Sequence, residues 1–455
     1  MHERARPAGL PRQGPLASAP VSWRVAALAG ALALAGAGCT SLALGEPAGP
    51  SVPPRRATPS VRTPSRTKVG PTKVGATVAT QPVASARPRL RALPPRQARA
   101  GARSCPARLY GEMSPAQRVG QLFLIGLSSS QPVSGDDAVI RAVHVGGVLL
   151  DGPGWDGAAR VGRAAHHLQE VGSPAARGVG LWVAGNQEGG AQGSLQAFYG
   201  PGFSPIPPGI AQGQLAPAVL ARDARAWGQQ LKEAGVNLNL APVADVVPAA
   251  SAQSNGAIGR YGRELGHDPA EVASHVRALV RGLLASGVQP TLKHFPGLGR
   301  VPANTDTSAQ GISDPAMTAH DPDLEPFRAG IGAGAPAVMV SLARYPRLDP
   351  RRQAVFSPAI ITGLLRRRLG FQGMIVSDDL GSALAVAGLS PARRAVEFVA
   401  AGGDVVLTSS PADASVMESA LLRFASHHPG FARVMEDAVR HVLAAKERAH
   451  LLPCR

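Results

Sequence analysis

Gln289-Pro290-Thr291-Leu292-Lys293-His294-Phe295-Pro296-Gly297-Leu298-Gly299 decides how this chain reads. A short apolar run breaks into a Pro/Gly loop, and a cation and an imidazole stand at the break. Val376-Ser377-Asp378-Asp379-Leu380 repeats the design, with two carboxylates closing another apolar run. Polar groups placed where strands open into loops are the mark of a (β/α) barrel, whose chemistry sits at the carboxyl ends of its strands.

Working outward, eight short apolar runs read as strands: Leu122–Leu127, Gly147–Leu150, Gly180–Ala184, Leu238–Pro242, Gln289–Leu292, Ala337–Ser341, Gly373–Val376 and Asp404–Leu407. Amphipathic stretches lie between them, at Ala158–Val171, Pro217–Ala234, Pro269–Ala285, Pro322–Gly332, Pro358–Leu369 and Pro391–Ala401. Several open on Pro or an Asp/Ser cap and close near Gly, as helices do. Ser114-Pro115-Ala116-Gln117 spells a capping box with Pro at the first helical position. The strand runs are continuously apolar rather than alternating, so both faces are expected to be buried in a parallel sheet. Eight such units predict an α/β fold, a (β/α)₈ TIM barrel over residues 105–455; a doubly wound open sheet is the alternative. No Gly-x-Gly-x-x-Gly follows the first strand and there is no Walker loop, so nucleotide binding has no support.

The formal charge of +17 invites a nucleic-acid reading until it is located. Residues 47–104 hold twelve Lys/Arg and no Asp or Glu, and residues 1–46 hold four basic and two acidic side chains, which leaves +3 for 105–455. The basicity belongs to a tail, and no recognition motif accompanies it, so nucleic acid is not an expected partner. Residues 40–104 are Pro, Ala, Thr, Ser and Arg, too poor in apolar surface to fold, and read as a disordered tether. Ahead of it, a basic lead with Arg4, Arg6, Arg12 and Arg24 precedes an apolar run Val25–Gly38. That run is shorter than the roughly 20 residues a membrane span needs, and residues 1–39 read as an export signal. Ala37-Gly38-Cys39 suggests lipidation of Cys39 and a membrane anchor on the outer face, although Gly36 stands where a larger aliphatic residue is usual. An ordinary secretory signal or an uncleaved anchor is the alternative.

Two other cysteines, Cys105 and Cys454, flank the folded region. Export meets an oxidising compartment, and a closed barrel brings its ends together, so a Cys105–Cys454 disulfide is expected; two unrelated thiols are the alternative. No metal spacing of Cys or His is present, and neither a metal nor another cofactor is expected.

Five strands aim polar groups at one rim: Asn186, Gln187 and Glu188; Asp245; Lys293 and His294; Ser341; Asp378 and Asp379. A single strand-end Asp is more often a helix cap than a catalyst. A carboxylate that attacks, with Lys and His nearby to grip hydroxyls, suggests cleavage of a sugar linkage.

Gln187-Glu188-Gly189-Gly190, Ala241-Pro242-Val243-Ala244-Asp245, Gly262-Arg263-Glu264-Leu265-Gly266, Lys293-His294-Phe295-Pro296-Gly297 and Ser377-Asp378-Asp379-Leu380 together resemble the signatures of glycoside hydrolase family 3. The order is right and the likeness runs from about residue 113 to 445. The nearest pattern is the single-domain β-N-acetylglucosaminidase branch that acts on cell-wall fragments. The resemblance implies that Asp378 is the nucleophile of a retaining mechanism. It also implies that Asn186, Asp245, Arg263, Lys293 and His294 hold the sugar, and that Asp379 supports its loop. The acetamido preference comes from the branch alone, so β-glucosidase or β-xylosidase specificity stays open. Those relatives often carry a second α/β domain, which is not expected here, and a monomer is.

Three departures from the pattern matter. Asn186 stands for an Asp, and Leu298 for a His. The Asp-Ser-His triplet that supplies the branch's general acid/base is matched by Asn304-Thr305-Asp306. Either Asp306 serves as acid/base directly, steered by Asn304 or Thr305, or the site has decayed into a glycan-binding envelope protein. Retention of Asp378, Lys293, His294 and Arg263 favours the enzyme. The expected substrate is a terminal β-linked N-acetylglucosamine on a muropeptide or similar glycan.

Overall fold

The computed structural model describes residues 104–128, 136–152, 154–192 and 195–454. The expected signal, Cys39 and the tether up to residue 103 lie outside them.

The described strands are β1 (Phe123–Ser128), β2 (Gly147–Asp151), β3 (Trp155–Asp156), β4 (Trp182–Gly185), β5 (Phe198–Tyr199), β6 (Leu238–Asn239), β7 (Gln289–Phe295), β8 (Ala337–Val340), β9 (Met374–Ser377) and β10 (Val406–Thr408). Eight of them form one parallel sheet in the order β10-β1-β2-β4-β6-β7-β8-β9. Its two ends meet through a parallel bridge between Val376 and Val405 and through Ser377 N–H donating to Val405 O at 2.9 Å. The result is the (β/α)₈ barrel. Strands β3 and β5 pair separately in a small excursion above it.

Residue parity explains why the runs are continuously apolar. Leu124, Leu149, Trp182, Ala184, Leu238, Ala337, Met339, Met374 and Val376 belong to the core that fills the barrel. The residues between them, including Phe123, Ile125, Val148, Val183, Val338, Ile375 and Val406, pack outward against the helices. Side chains alternate along a strand, so a sheet covered on both sides needs apolar residues at every position.

All eight expected strands are present, with ends shifted by up to a few residues. The largest changes are at β6, which stops at Asn239, and β7, which runs on through Lys293 and His294 to Phe295. Expected helices appear at Ala158–Ala175, Pro217–Glu233, Pro269–Ser286 and Pro391–Ala400. The stretch from Pro322 enters as a tight turn before the helix Glu325–Gly332, and Ala359–Arg368 winds as a wider π-type helix. The helices Asp137–Val143, Pro411–His427 and Pro429–Arg448 were not among those expected. Pro429, which has no N–H to donate, divides the last two where the pattern is otherwise continuous.

The helices Cys105–Glu112 and Pro429–Arg448 close the amino-terminal mouth of the barrel, with Leu109, Val439, Val442 and Leu443 in the same core as the barrel interior. Cys105 and Cys454 are disulfide bonded, joining the two edges of the folded region. Ser114 forms the capping box: its Oγ accepts from Gln117 N–H, and the Gln117 side chain accepts from Ser114 N–H. No described helix is long and apolar enough to cross a membrane.

Candidate active site

The carboxyl ends of the strands open into a cavity of about 620 Å³. Strand β7 brings two residues to it at once. Neighbours on a strand ordinarily face opposite sides. The register of β7 against β8 shifts between Leu292 and Phe295, and Lys293 and His294 both line the cavity. Their peptide is cis.

His294 is held from below. Its Nδ1 lies 2.8 Å from Asp245 Oδ2, while Asp245 Oδ1 accepts from the backbone N–H of His294 at 3.2 Å and of Leu298 at 2.6 Å. A carboxylate fed by two backbone donors has only acceptors left to offer, so Nδ1 donates and Nε2 is left for the cavity. Asp245 is fully buried and does not itself line the cavity. It was expected to touch the sugar; its oxygens are instead taken up in positioning the imidazole and the loop. Leu298 keeps its backbone part in this network, and its side chain supplies an apolar stretch of wall.

Lys293 belongs to a second cluster. Glu188 Oε1 is 2.5 Å from Lys293 Nζ and 2.7 Å from an Arg263 terminal nitrogen, and Glu188 Oε2 accepts from Arg263 Nε at 2.8 Å. Asn186 Oδ1 accepts from Lys293 Nζ at 3.0 Å. Burial alone pushes the Glu188 carboxyl up, but Arg263 and Lys293 outweigh it and hold the group well below the usual carboxylate range. Burial draws the Lys293 ammonium down, and the Arg263 charge adds to that against the pull of Glu188 and Asp378. Two cations share one buried anion, which leaves a positive excess facing the cavity. Asn186, where the family pattern has a charged Asp, accepts from the lysine without cancelling that excess.

Asp378 follows β9 and lines the cavity, half-buried; its backbone N–H donates to Val340 O at 3.0 Å. Asp379 lines the cavity as well, but its oxygens are committed to the loop: they accept from the N–H of Gly381, Ser382 and Ser409 and from Ser409 Oγ. The buried Arg394 guanidinium donates to the carbonyls of Leu380, Gly381 and Leu389, fixing the same loop. Asp306 also lines the cavity. Asn304 Oδ1 accepts its backbone N–H at 2.9 Å, so Asn304 shapes the turn that presents it. Crowding by protein and then the charge of Asp378 raise the Asp306 carboxyl to about 6, against the opposing pull of His294 and Arg263. The residue as a whole is exposed, and water reaching it weakens both influences.

Of the residues singled out in the sequence, Asp378, Asp306, Asn186, Arg263, Lys293 and His294 thus meet in one cavity, and Asp245 lies beneath it. Glu188 was read as part of a motif and not as a site residue; its place two positions after Asn186 on the same strand end was the available signal. Asn255 was missed outright. It is buried, its Nδ2 donates to the carbonyls of Leu298, Gly299 and Val301, and its Oδ1 accepts from the N–H of Ile258 and Gly259. It ties the segment leading to Arg263 onto the loop that follows His294. No cluster of His, Cys, Asp or Glu fit to hold a metal occurs among the described residues.

The model of the glycosyl hydrolase family 3 N-terminal domain matches residues 116–445. The chain belongs to this family. Among its relatives is a β-hexosaminidase of Xylella fastidiosa (strain 9a5c), 39% identical over 243 residues that cover 51% of this chain and 68% of that protein. Among solved structures, the β-N-acetylhexosaminidase of Beutenbergia cavernae DSM 12333 is 45% identical, with a TM-score of 0.71, covering 74% of this chain and 99% of that one. The M. tuberculosis LpqI structure is 26% identical with a TM-score of 0.62, covering 75% and 96%. This family 3 chain is a glycosidase of the β-hexosaminidase branch. Arg263, Lys293 and His294 line its cavity together with the carboxyl groups of Asp151, Glu188, Asp306, Asp378 and Asp379.

Proposed function

We propose that the protein is an exported, retaining β-N-acetylglucosaminidase that removes terminal N-acetylglucosamine from peptidoglycan-derived fragments. One observation carries the reading. Asp378 and Asp306 line the same cavity as Lys293, His294 and Arg263, and Asp306 is raised to about 6 beside the Asp378 charge. A raised carboxyl that shares a cavity with a second carboxyl is the usual proton donor of a two-carboxyl glycosidase.

Asp378 attacks the anomeric carbon while protonated Asp306 gives its proton to the departing glycosidic oxygen. The resulting glycosyl ester on Asp378 is then opened by water, from which Asp306 takes a proton back. Lys293 and Arg263 donate to sugar hydroxyls, and His294 Nε2 meets another; such contacts tighten as the ring flattens toward the oxocarbenium ion. The names of the relatives at 39% and 45% identity support the N-acetylhexosamine over glucose or xylose. Lipidation at Cys39 anchors the protein outside the membrane, and residues 40–104 serve as its tether.

The test is release of N-acetylglucosamine from an N-acetylglucosaminyl-N-acetylmuramyl peptide by the purified full chain. Wild type is expected to release it and Asp378→Asn to release none. Wild-type protein that binds the fragment and leaves it intact supports the glycan-binding alternative. For the anchor, Cys39→Ala is expected to move the protein from the detergent phase to the aqueous phase; an unchanged partition contradicts lipidation.

A further inference from the structure

A second cavity, of about 590 Å³, lies on the outer side of the Asp306 loop and is lined by Arg344, Arg351, Arg352 and Arg393. One carboxylate lines it with them, Glu397, and it is paired to Arg393 at 2.5 Å. Arg344, Arg351 and Arg352 are exposed and form no side-chain ion pair within 4 Å among the described residues. Asp349, nearby, is already engaged: it accepts from the N–H of Arg351 and Arg352 and from Ser357 Oγ, and the Arg352 charge helps hold its carboxyl low. Arg300, by contrast, is saturated by Asp314, Asp321 and Asp323. Four arginines against Glu397 and the nearby Asp349 leave a local surplus of positive charge around one hollow.

This hollow shares a wall with the catalytic cavity. Ala385 lines it, and Ala385 N–H donates to Thr305 O at 3.0 Å; Leu384 N–H donates to Asp306 O at 3.0 Å. Thr305 and Asp306 line the catalytic cavity on the other side. Gln353, buried in the same wall, donates to Ala385 O at 2.9 Å and to Leu342 O at 2.8 Å. Leu384, next to Ala385 in the chain, leaves 49% of its surface exposed.

We propose that the arginine-lined cavity is an accessory subsite for the carboxylates of an acidic peptide carried by the aglycone of the glycan in the catalytic cavity. The inference rests on the peptide-bearing substrate proposed above. An extended peptide covers roughly 3.3–3.6 Å per residue, so three residues reach about 10 Å, enough to cross one layer of loop. The guanidinium groups come from two separate segments, 344–352 and 393, and line an open volume. That spread suits several carboxylates along a chain better than one compact anion. Guanidinium forks take carboxylates two bonds at a time, and the uncompensated field draws an acidic ligand in from a distance at low salt.

The experiment pairs two substrates and one ligand. The substrates are the disaccharide with an acidic peptide and the same disaccharide without it. The ligand is a synthetic peptide with two free carboxylates and no sugar, titrated calorimetrically. The full chain and the variant Arg351→Ser/Arg352→Ser are compared. The expected result is a KM for the peptide-bearing substrate raised about 5–30-fold in the variant. Its kcat and both constants for the peptide-free disaccharide should be unchanged. Calorimetric binding of the di-acidic peptide should weaken in parallel, and 0.5 M salt should mimic the variant in wild type. Equal effects on both substrates, or peptide binding indifferent to the variant, overturn the subsite. If wild type cleaves neither substrate yet binds the peptide through these arginines, the subsite stands and the proposed reaction fails.

Discussion

In the proposed mechanism the acid/base step turns on Asp306. Its carboxyl, raised to about 6 by crowding and by Asp378, must carry a proton when the glycosidic bond breaks. Activity through that step is therefore high below pH 6 and declines as pH rises through it. Asp306→Asn is expected to lower kcat/KM for a poor leaving group by about 10²–10⁴, to spare an activated aryl glycoside, and to remove the decline near pH 6. Equal losses on both substrates, or an unaltered pH profile, would take the role from Asp306. Most of the cavity lining was legible as residues, because Lys-His, Asp-Asp and Asn-Gln-Glu stand at strand ends where apolar runs stop. What could not be read was which carboxylate does what. Asp245 and Asp379 look like Asp378 in sequence; both oxygens of each are engaged by protein donors, whereas Asp378 accepts the N–H of Asp379 at Oδ1. Glu188 needed two partners from distant segments, at positions 263 and 293, before its role as their shared anion was visible.

At the scale of elements, the strands were legible because both faces are covered and each run is apolar throughout. The end of β7 was not, since a register shift against a neighbouring strand decides it and no local pattern records that pairing. The loops depend on clamps of the kind Asn255 provides, a single carboxamide satisfying five backbone groups from two segments. Removing it leaves buried donors and acceptors unpaired at about 1–3 kcal/mol each, less whatever water recovers. Asn255→Ala is expected to destabilise the fold by about 2–4 kcal/mol. Because it loosens the segment leading to Arg263, KM should rise more than kcat falls. Denaturant unfolding and steady-state kinetics check both; full stability with unchanged KM would show that the clamp is dispensable.

For the whole molecule, closure of the barrel brings the first and last helices to one mouth, where Lys446 is buried. Its Nζ donates to Gln121 Oε1 at 2.7 Å and Gly146 O at 2.8 Å, and burial pushes its pKa down to about 7. Unfolded, the same lysine titrates near 10.4. Between these values the unfolded chain binds a proton that the folded chain does not, so stability rises with pH. The rise is at most about 1.4 kcal/mol per pH unit. Below pH 7 both states are protonated and the contribution is flat at its least favourable. Melting temperature is expected to climb from pH 7 to 9 in wild type, and Lys446→Met to flatten that climb. A wild-type profile that falls over this range contradicts the assignment. The disulfide between Cys105 and Cys454 at the same mouth was legible from closure itself, which makes chain ends neighbours; the buried lysine was not, because its acceptors are set by helix packing.

The central claim is that Asp378 becomes covalently glycosylated during turnover. The most direct measurement is peptide mass spectrometry of the intact protein after reaction with a slowly turned-over 2-fluoro N-acetylglucosaminide analogue. One sugar mass is expected on the peptide containing Asp378, and none in Asp378→Asn. A sugar found on another carboxylate, or substrate turnover that never yields a trapped ester, would contradict it.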